Sequence, residues 1–93
     1  MGLRNAYGEV IFEDTDCKTI KELVDKAIRN GVVLHGAVLA GADLTDVSLS
    51  GANLYNANLY NANLSGVNLS GANLSGADLS LANLTNVIGY PKK

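Results

Sequence analysis

The chain holds no tryptophan, and cysteine, proline, histidine, methionine and phenylalanine appear once each in its 93 residues. One thiol, Cys17, closes no internal disulfide, so cross-links do not hold the fold and a reducing compartment is expected. With one imidazole, His35, far from that thiol in sequence, there is no nucleophile and base pair and no donor set for a metal. An enzyme is not expected, nor is a cofactor. Glycines recur, but no Gly-Lys-Ser/Thr follows them, which excludes a phosphate-binding loop. Long apolar runs are missing too: 47% of the chain is apolar, yet stretches such as Val32 to Leu34 are far too short to cross a bilayer. Met1 to Phe12 carries no basic segment followed by a long apolar stretch, so no secretory leader and no membrane association are expected. The expected location is cytoplasmic.

Cations are absent from most of the chain. Arg4, Lys18, Lys21, Lys26, Arg29, Lys92 and Lys93 all lie outside residues 32–88, where the only charges are Asp43, Asp46 and Asp78. A surface of neutral amides and hydroxyls cannot grip phosphates, so direct nucleic-acid binding is not expected.

What the chain has is a period of five. Leucine stands at 34, 39, 44, 49, 54, 59, 64, 69, 74, 79 and 84, and two residues before each is a small one, Ala or Val. That spacing fits neither a helix nor plain strand alternation and marks a solenoid. Two residues after each leucine comes Gly or Asn, except at Asp46 and Leu81, so a corner is expected there, where positive φ is cheapest for those residues. Between corners lie short extended sides. Each should point its small residue and leucine inward and an Asn or Asp outward, the amides either satisfying corner backbone groups or stacking in ladders. Val47, Val67 and Val87 sit twenty residues apart and would form one inward column.

Ahead of the repeat, Gly8 to Glu13 reads as a strand and Asp14-Thr15-Asp16 as a turn. Thr19-Ile20-Lys21-Glu22 has capping-box spacing, so a helix should begin there. Ile20, Leu23, Val24, Ala27 and Ile28 form its apolar stripe, and Asn30-Gly31 gives a left-handed exit. This segment is expected to lid the open end of the solenoid and to be needed for stability.

Units such as Ala72-Asn73-Leu74-Ser75-Gly76 resemble the pentapeptide-repeat family, over eleven consecutive units from about residue 32 to 88. Gly8 to Asn30 is also similar to the lead-in of small phage and bacterial members. The resemblance implies an all-β solenoid, a right-handed quadrilateral β-helix of about three coils, with an N-terminal strand-plus-α-helix cap. The expected organisation is a capping strand and helix over 1–31, the repeat over 32–88 and a tail over 89–93.

Three surface features break the monotony. Tyr55 and Tyr60 follow successive leucines and should stand on adjacent corners, Tyr55 between His35 and Ser75 and Tyr60 between Ala40 and Ser80; exposed tyrosines often anchor contacts. Leu81 occupies a corner, where it forces a different turn or leaves an apolar group exposed. In Val87-Ile88-Gly89-Tyr90-Pro91, Gly89 stands where leucine is due and Pro91 stops pairing, leaving Ile88 and Tyr90 to cover that end. Tyr55, Tyr60, Leu81, Ile88 and Tyr90 are therefore the candidate protein-contact residues. The expected function is a non-catalytic structural or protein-interaction module with a rigid neutral surface, its partner an unidentified protein, with a homodimer through the C-terminal coil. The alternative, from the resemblance, is a DNA-mimic binder or inhibitor of a type II topoisomerase such as DNA gyrase. Three Asp and a stack of about 14 Å, at roughly 4.8 Å per coil, imitate a duplex poorly.

Overall fold

Strand β1 (Gly2–Arg4) pairs antiparallel with β2 (Val10–Glu13), joining Gly2 to Glu13 and Leu3 to Phe12, with an irregularity before Arg4 meets Val10. The structure, a computed structural model, describes residues 1–90; the Pro91 expected to stop pairing lies outside them. The strand expected from Gly8 starts later because Asn5 organises the preceding residues as a turn. Its side-chain Oδ1 accepts from the Tyr7 and Glu9 amides, and Gly8 takes φ +83°. The partner strand β1 was not anticipated, since Gly2-Leu3-Arg4 is too short to show alternation.

Helix α1 spans Ile20–Arg29 with Thr19 as N-cap, whose Oγ1 accepts from the Glu22 amide at 3.2 Å. Glu22 reaches back one residue further than a standard capping box, accepting from the Lys18 amide at 2.7 Å. Leu23, Val24 and Ala27 are fully buried and join one apolar cluster with Leu34, Leu39, Leu44 and Leu49. The helix thus lies over the start of the repeat. Lys26 ties it to the hairpin through Asp14 at 2.5 Å, and Lys21 reaches Asp43 and Asp46 at 3.8 and 4.0 Å. No helix among the described residues is long and apolar enough to cross a membrane.

From Leu34 onward the chain has isolated bridges instead of regular strands: Ala37 meets Asn5 of the hairpin antiparallel, and all the others are parallel. Val38 bridges Asn58 and Asn58 bridges Asp78; Asp43 bridges Asn63 and Asn63 bridges Asn83. Each offset is twenty residues. The chain is a β-helix solenoid that returns to the same register after four corners. Every corner, from Gly36 to Asn86, has positive φ, and the leucine carbonyl before it accepts from the amide three residues on, as Leu54 O does from Ala57 N at 2.9 Å. Negative φ before positive φ is the pattern of a type II turn.

Backbone accounting explains the period. In the unit Ala57 to Asn61, Ala57 donates to Leu54 O, Asn58 to Ala37 O, Leu59 to Asp78 O, Tyr60 to the Asn58 Oδ1 and Asn61 to Ser80 O. All amides are satisfied. The outward Asn and Asp therefore serve the corners: Asn53, Asn58, Asn63, Asn68, Asn73, Asp78 and Asn83 each accept from the amide two residues later at 2.9 to 3.2 Å. The interior is wholly apolar. Leucines 34 to 69 are at most 2% exposed, Val47 and Val67 are buried with Val87 half-buried below them, and Leu74, Leu79 and Leu84 are also half-buried.

Candidate functional site

Corners and sides decide what a solenoid shows to its surroundings, because the interior is the same on every circuit. The side whose outward residues are Val38, Asn58 and Asp78 runs between the corner of His35, Tyr55 and Ser75 and the corner of Ala40, Tyr60 and Ser80. Tyr55 and Tyr60 are 43% and 44% exposed, and Val38 41%. Leu81 completes the second corner at 73%. The other three sides carry Val33, Asn53 and Asn73; Asp43, Asn63 and Asn83; and Ser48, Asn68 and Ile88. Each of the four has at most one large exposed apolar residue at its outward positions, and only the Val38 side has an exposed tyrosine at the corner on each end.

Tyr55 stacks edge-on against His35 one circuit above, with ring centroids 5.3 Å apart at 61°. Beside this pair a shallow groove of about 340 Å³ is lined by Asn5, Tyr7, His35, Tyr55, Asn56 and Asn58. Tyr7, in the β1 to β2 turn, is 89% exposed and extends the tyrosine-bearing side toward the hairpin. Sequence reading passed over it. Its only signal was an aromatic residue inside a turn, between Asn5 and Gly8. Val38 was missed as well, because an outward valine reads like any strand residue until the register places it between two tyrosines.

Leu81 keeps the corner instead of forcing another turn: its φ is +60°, like that of Asn61 one circuit before. A γ-branched residue held left-handed costs roughly 1 to 2 kcal/mol, and the side chain gains no burial in return.

Ile88 and Tyr90 part company. Ile88 occupies an outward position, bridged to Asn68 and 57% exposed, while Tyr90 turns under the last circuit and packs against its core beside Ala72, Leu74, Ala77 and Leu79. Gly89 makes that bend at φ +74°, so close to Ser70 that a Cβ there would stand 2.7 Å from the Ser70 Cα. No side chain fits. This is why glycine stands where the period asks for leucine.

Charge on the tyrosine-bearing side is confined to one group. Asp78 Oδ1 accepts from the Ser80 amide at 2.9 Å, and hydrogen bonds from Ser80 hold its carboxyl below the usual range. Asp43, held low by Thr45 and then by Lys21, and Asp46 face Lys21, whereas Asp78 meets no cation among the described residues. No cluster of three or more His, Cys, Asp or Glu there could hold a metal ion. Burial pushes the half-buried Cys17 thiol up, with Asp14 adding to it, which makes the thiolate scarcer.

Against protein families, the chain matches Pentapeptide repeats in eight copies, over residues 30–66 and 62–88. Among solved structures it is similar to a pentapeptide repeat protein (Rfr23) from the cyanobacterium Cyanothece 51142, at 40% identity over 60% of this chain and 39% of that one, with a TM-score of 0.41. It is also similar to HetL, a pentapeptide repeat protein involved in heterocyst differentiation regulation from Nostoc sp. strain PCC 7120. There the identity is 28% over 63% of this chain and 42% of that one, with a TM-score of 0.27. The match thus spans about two fifths of either structure's length. A search of curated proteins found no match.

Proposed function

The chain belongs to the pentapeptide-repeat family, and we propose that it is a non-catalytic interaction module whose tyrosine-bearing side is the surface that meets a protein partner. Members of this family are in general non-enzymatic interaction modules. Within the reading, the solenoid is a right-handed, four-sided helix of just under three coils beneath a cap formed by residues 1–31, at work in the cytoplasm. The observation that carries it is Leu81, strained at φ +60° and 73% exposed on the corner that also holds Tyr60. Tyr55 and Tyr60 supply the large, conformationally cheap contact groups that interfaces favour. A second copy of the chain is the proposed occupant of the opposite end, where Leu74, Leu79 and Leu84 are half-buried and their amides have no backbone acceptor among the described residues.

Affinity capture from a host lysate tests the main reading. Wild type should retain a protein that the Tyr55→Ala/Tyr60→Ala double variant does not; retention indifferent to both tyrosines would overturn it. Mimicry of DNA has less support, since two of the three carboxylates in the repeat face Lys21. In a gyrase supercoiling assay the protein should neither protect nor inhibit.

A further inference from the structure

Which partner chemistry suits the tyrosine-bearing side follows from what that side lacks. Over residues 35–40, 55–61 and 75–81 its only carboxylate is Asp78, and it contains no Lys or Arg. At the hairpin end the nearest cation, Arg4, is spent locally: its Nη1 donates to Gly8 O at 2.7 Å, while Glu9 accepts from Asn5. Two circuits away Asp78 stands across the ladder from Asn58, about 4.8 Å off, flanked by the corners of Tyr55 and Tyr60. Asn58 spends its Oδ1 on the Tyr60 amide, which leaves its Nδ2 as a donor with no acceptor among the described residues. A negative charge, two electron-rich ring faces, an amide donor and the exposed Leu81 side chain thus lie together, and the opposite charge has to come from the occupant.

Building on the interaction reading above, we propose that this side docks an extended protein segment carrying an arginine or lysine beside an aliphatic residue. The cation sits on Asp78 and against the tyrosine rings, the aliphatic side chain packs on Leu81 and Tyr60, and a backbone carbonyl of the segment accepts from Asn58. Arginine and tyrosine are the residues most often found at the energetic centre of such contacts. An acidic segment would meet Asp78 unpaid and be rejected.

The test is selection of random linear peptides, displayed on phage, against the full chain. Selected peptides should be enriched in Arg or Lys next to Leu, Ile or an aromatic residue. Asp78→Asn should weaken their binding roughly three- to fivefold, as expected for one exposed cation contact, and added salt should weaken it further. Tyr60→Ala and Leu81→Asn should also weaken it. Leu81→Asn relieves strain, so lost binding in that variant is not unfolding. Asn73→Asp, which sets a like carboxylate on the neighbouring side, should change nothing. Peptides that depend on Tyr60 and Leu81 but show no basic enrichment would overturn the charge assignment and leave the interaction surface standing. Selection of no peptide, or of peptides indifferent to Tyr55, Tyr60 and Leu81, would overturn both.

Discussion

Leu54 and Leu79 occupy the same slot of the same five-residue unit, one fully buried and the other only partly so. Nothing in Ala52-Asn53-Leu54 and Ala77-Asp78-Leu79 accounts for the difference. What differs is the neighbour: the early circuits lie between helix α1 and a following circuit, and among the described residues the last has only Tyr90 beneath it. Burial in a solenoid is thus conferred by stacking, whereas corner geometry is carried by each unit.

That contrast is tested most strongly by truncation in the two places. Leu54→Ala should cost about 3 to 5 kcal/mol in urea unfolding, and Leu79→Ala about 1 to 2, because its side chain is only partly buried; equal losses would break the comparison. Next is the helix, where Leu23→Ala should cost about 2 to 4 kcal/mol and speed amide exchange at Leu34, Leu39 and Leu44 more than at Leu64 and Leu69. Leu81→Asn sharpens the corner half of the argument, since it should stabilise by about 1 kcal/mol through relief of the left-handed strain. Asn58→Ala removes the acceptor of the Tyr60 amide and should cost about 0.5 to 1.5 kcal/mol.

Smallest is the effect of pH on the tie between hairpin and helix. The Lys26 ammonium holds the Asp14 carboxyl below its ordinary value, and the Asp16 amide adds to this. A carboxyl depressed in the folded state stabilises above its unfolded value near 3.8, and that contribution is lost as pH falls through the lower folded value. Asp14 in turn holds Lys26 above 10.5, so the same pair is stabilising below that value and is lost as pH rises through the raised one. Asp14→Asn should flatten both limbs of a melting-temperature profile, and an unchanged profile would show that the tie contributes nothing.

Wherever a residue type has a single physical use, the sequence announced the structure. Gly and Asn at the corners took positive φ, leucines went inward, and Thr19 capped the helix. Strand β1 stayed hidden because three residues carry no period, and Tyr7 because its exposure depends on a turn built by Asn5. Whether outward amides would serve corners or form ladders was undecidable from spacing, since both uses need the same residue at the same place. The local bend of each corner made the choice, bringing each Oδ1 to the amide two residues later. The gathering of Tyr55, Tyr60, Val38 and Leu81 on one side likewise needs the twenty-residue return, to which each contributes nothing on its own.

That return constrains how the gene can change. Removing five residues between Asn61 and Leu81 would leave every corner chemically sound, yet it would rotate everything downstream by a quarter of a circuit, taking Asp78 off the side between the tyrosines and moving Leu81 from the Tyr60 corner to the Tyr55 corner. Removing twenty would shorten the rod and keep its faces aligned. Lineages of such a protein should therefore gain and lose length in whole circuits wherever a face is under selection, and in single units only where none is.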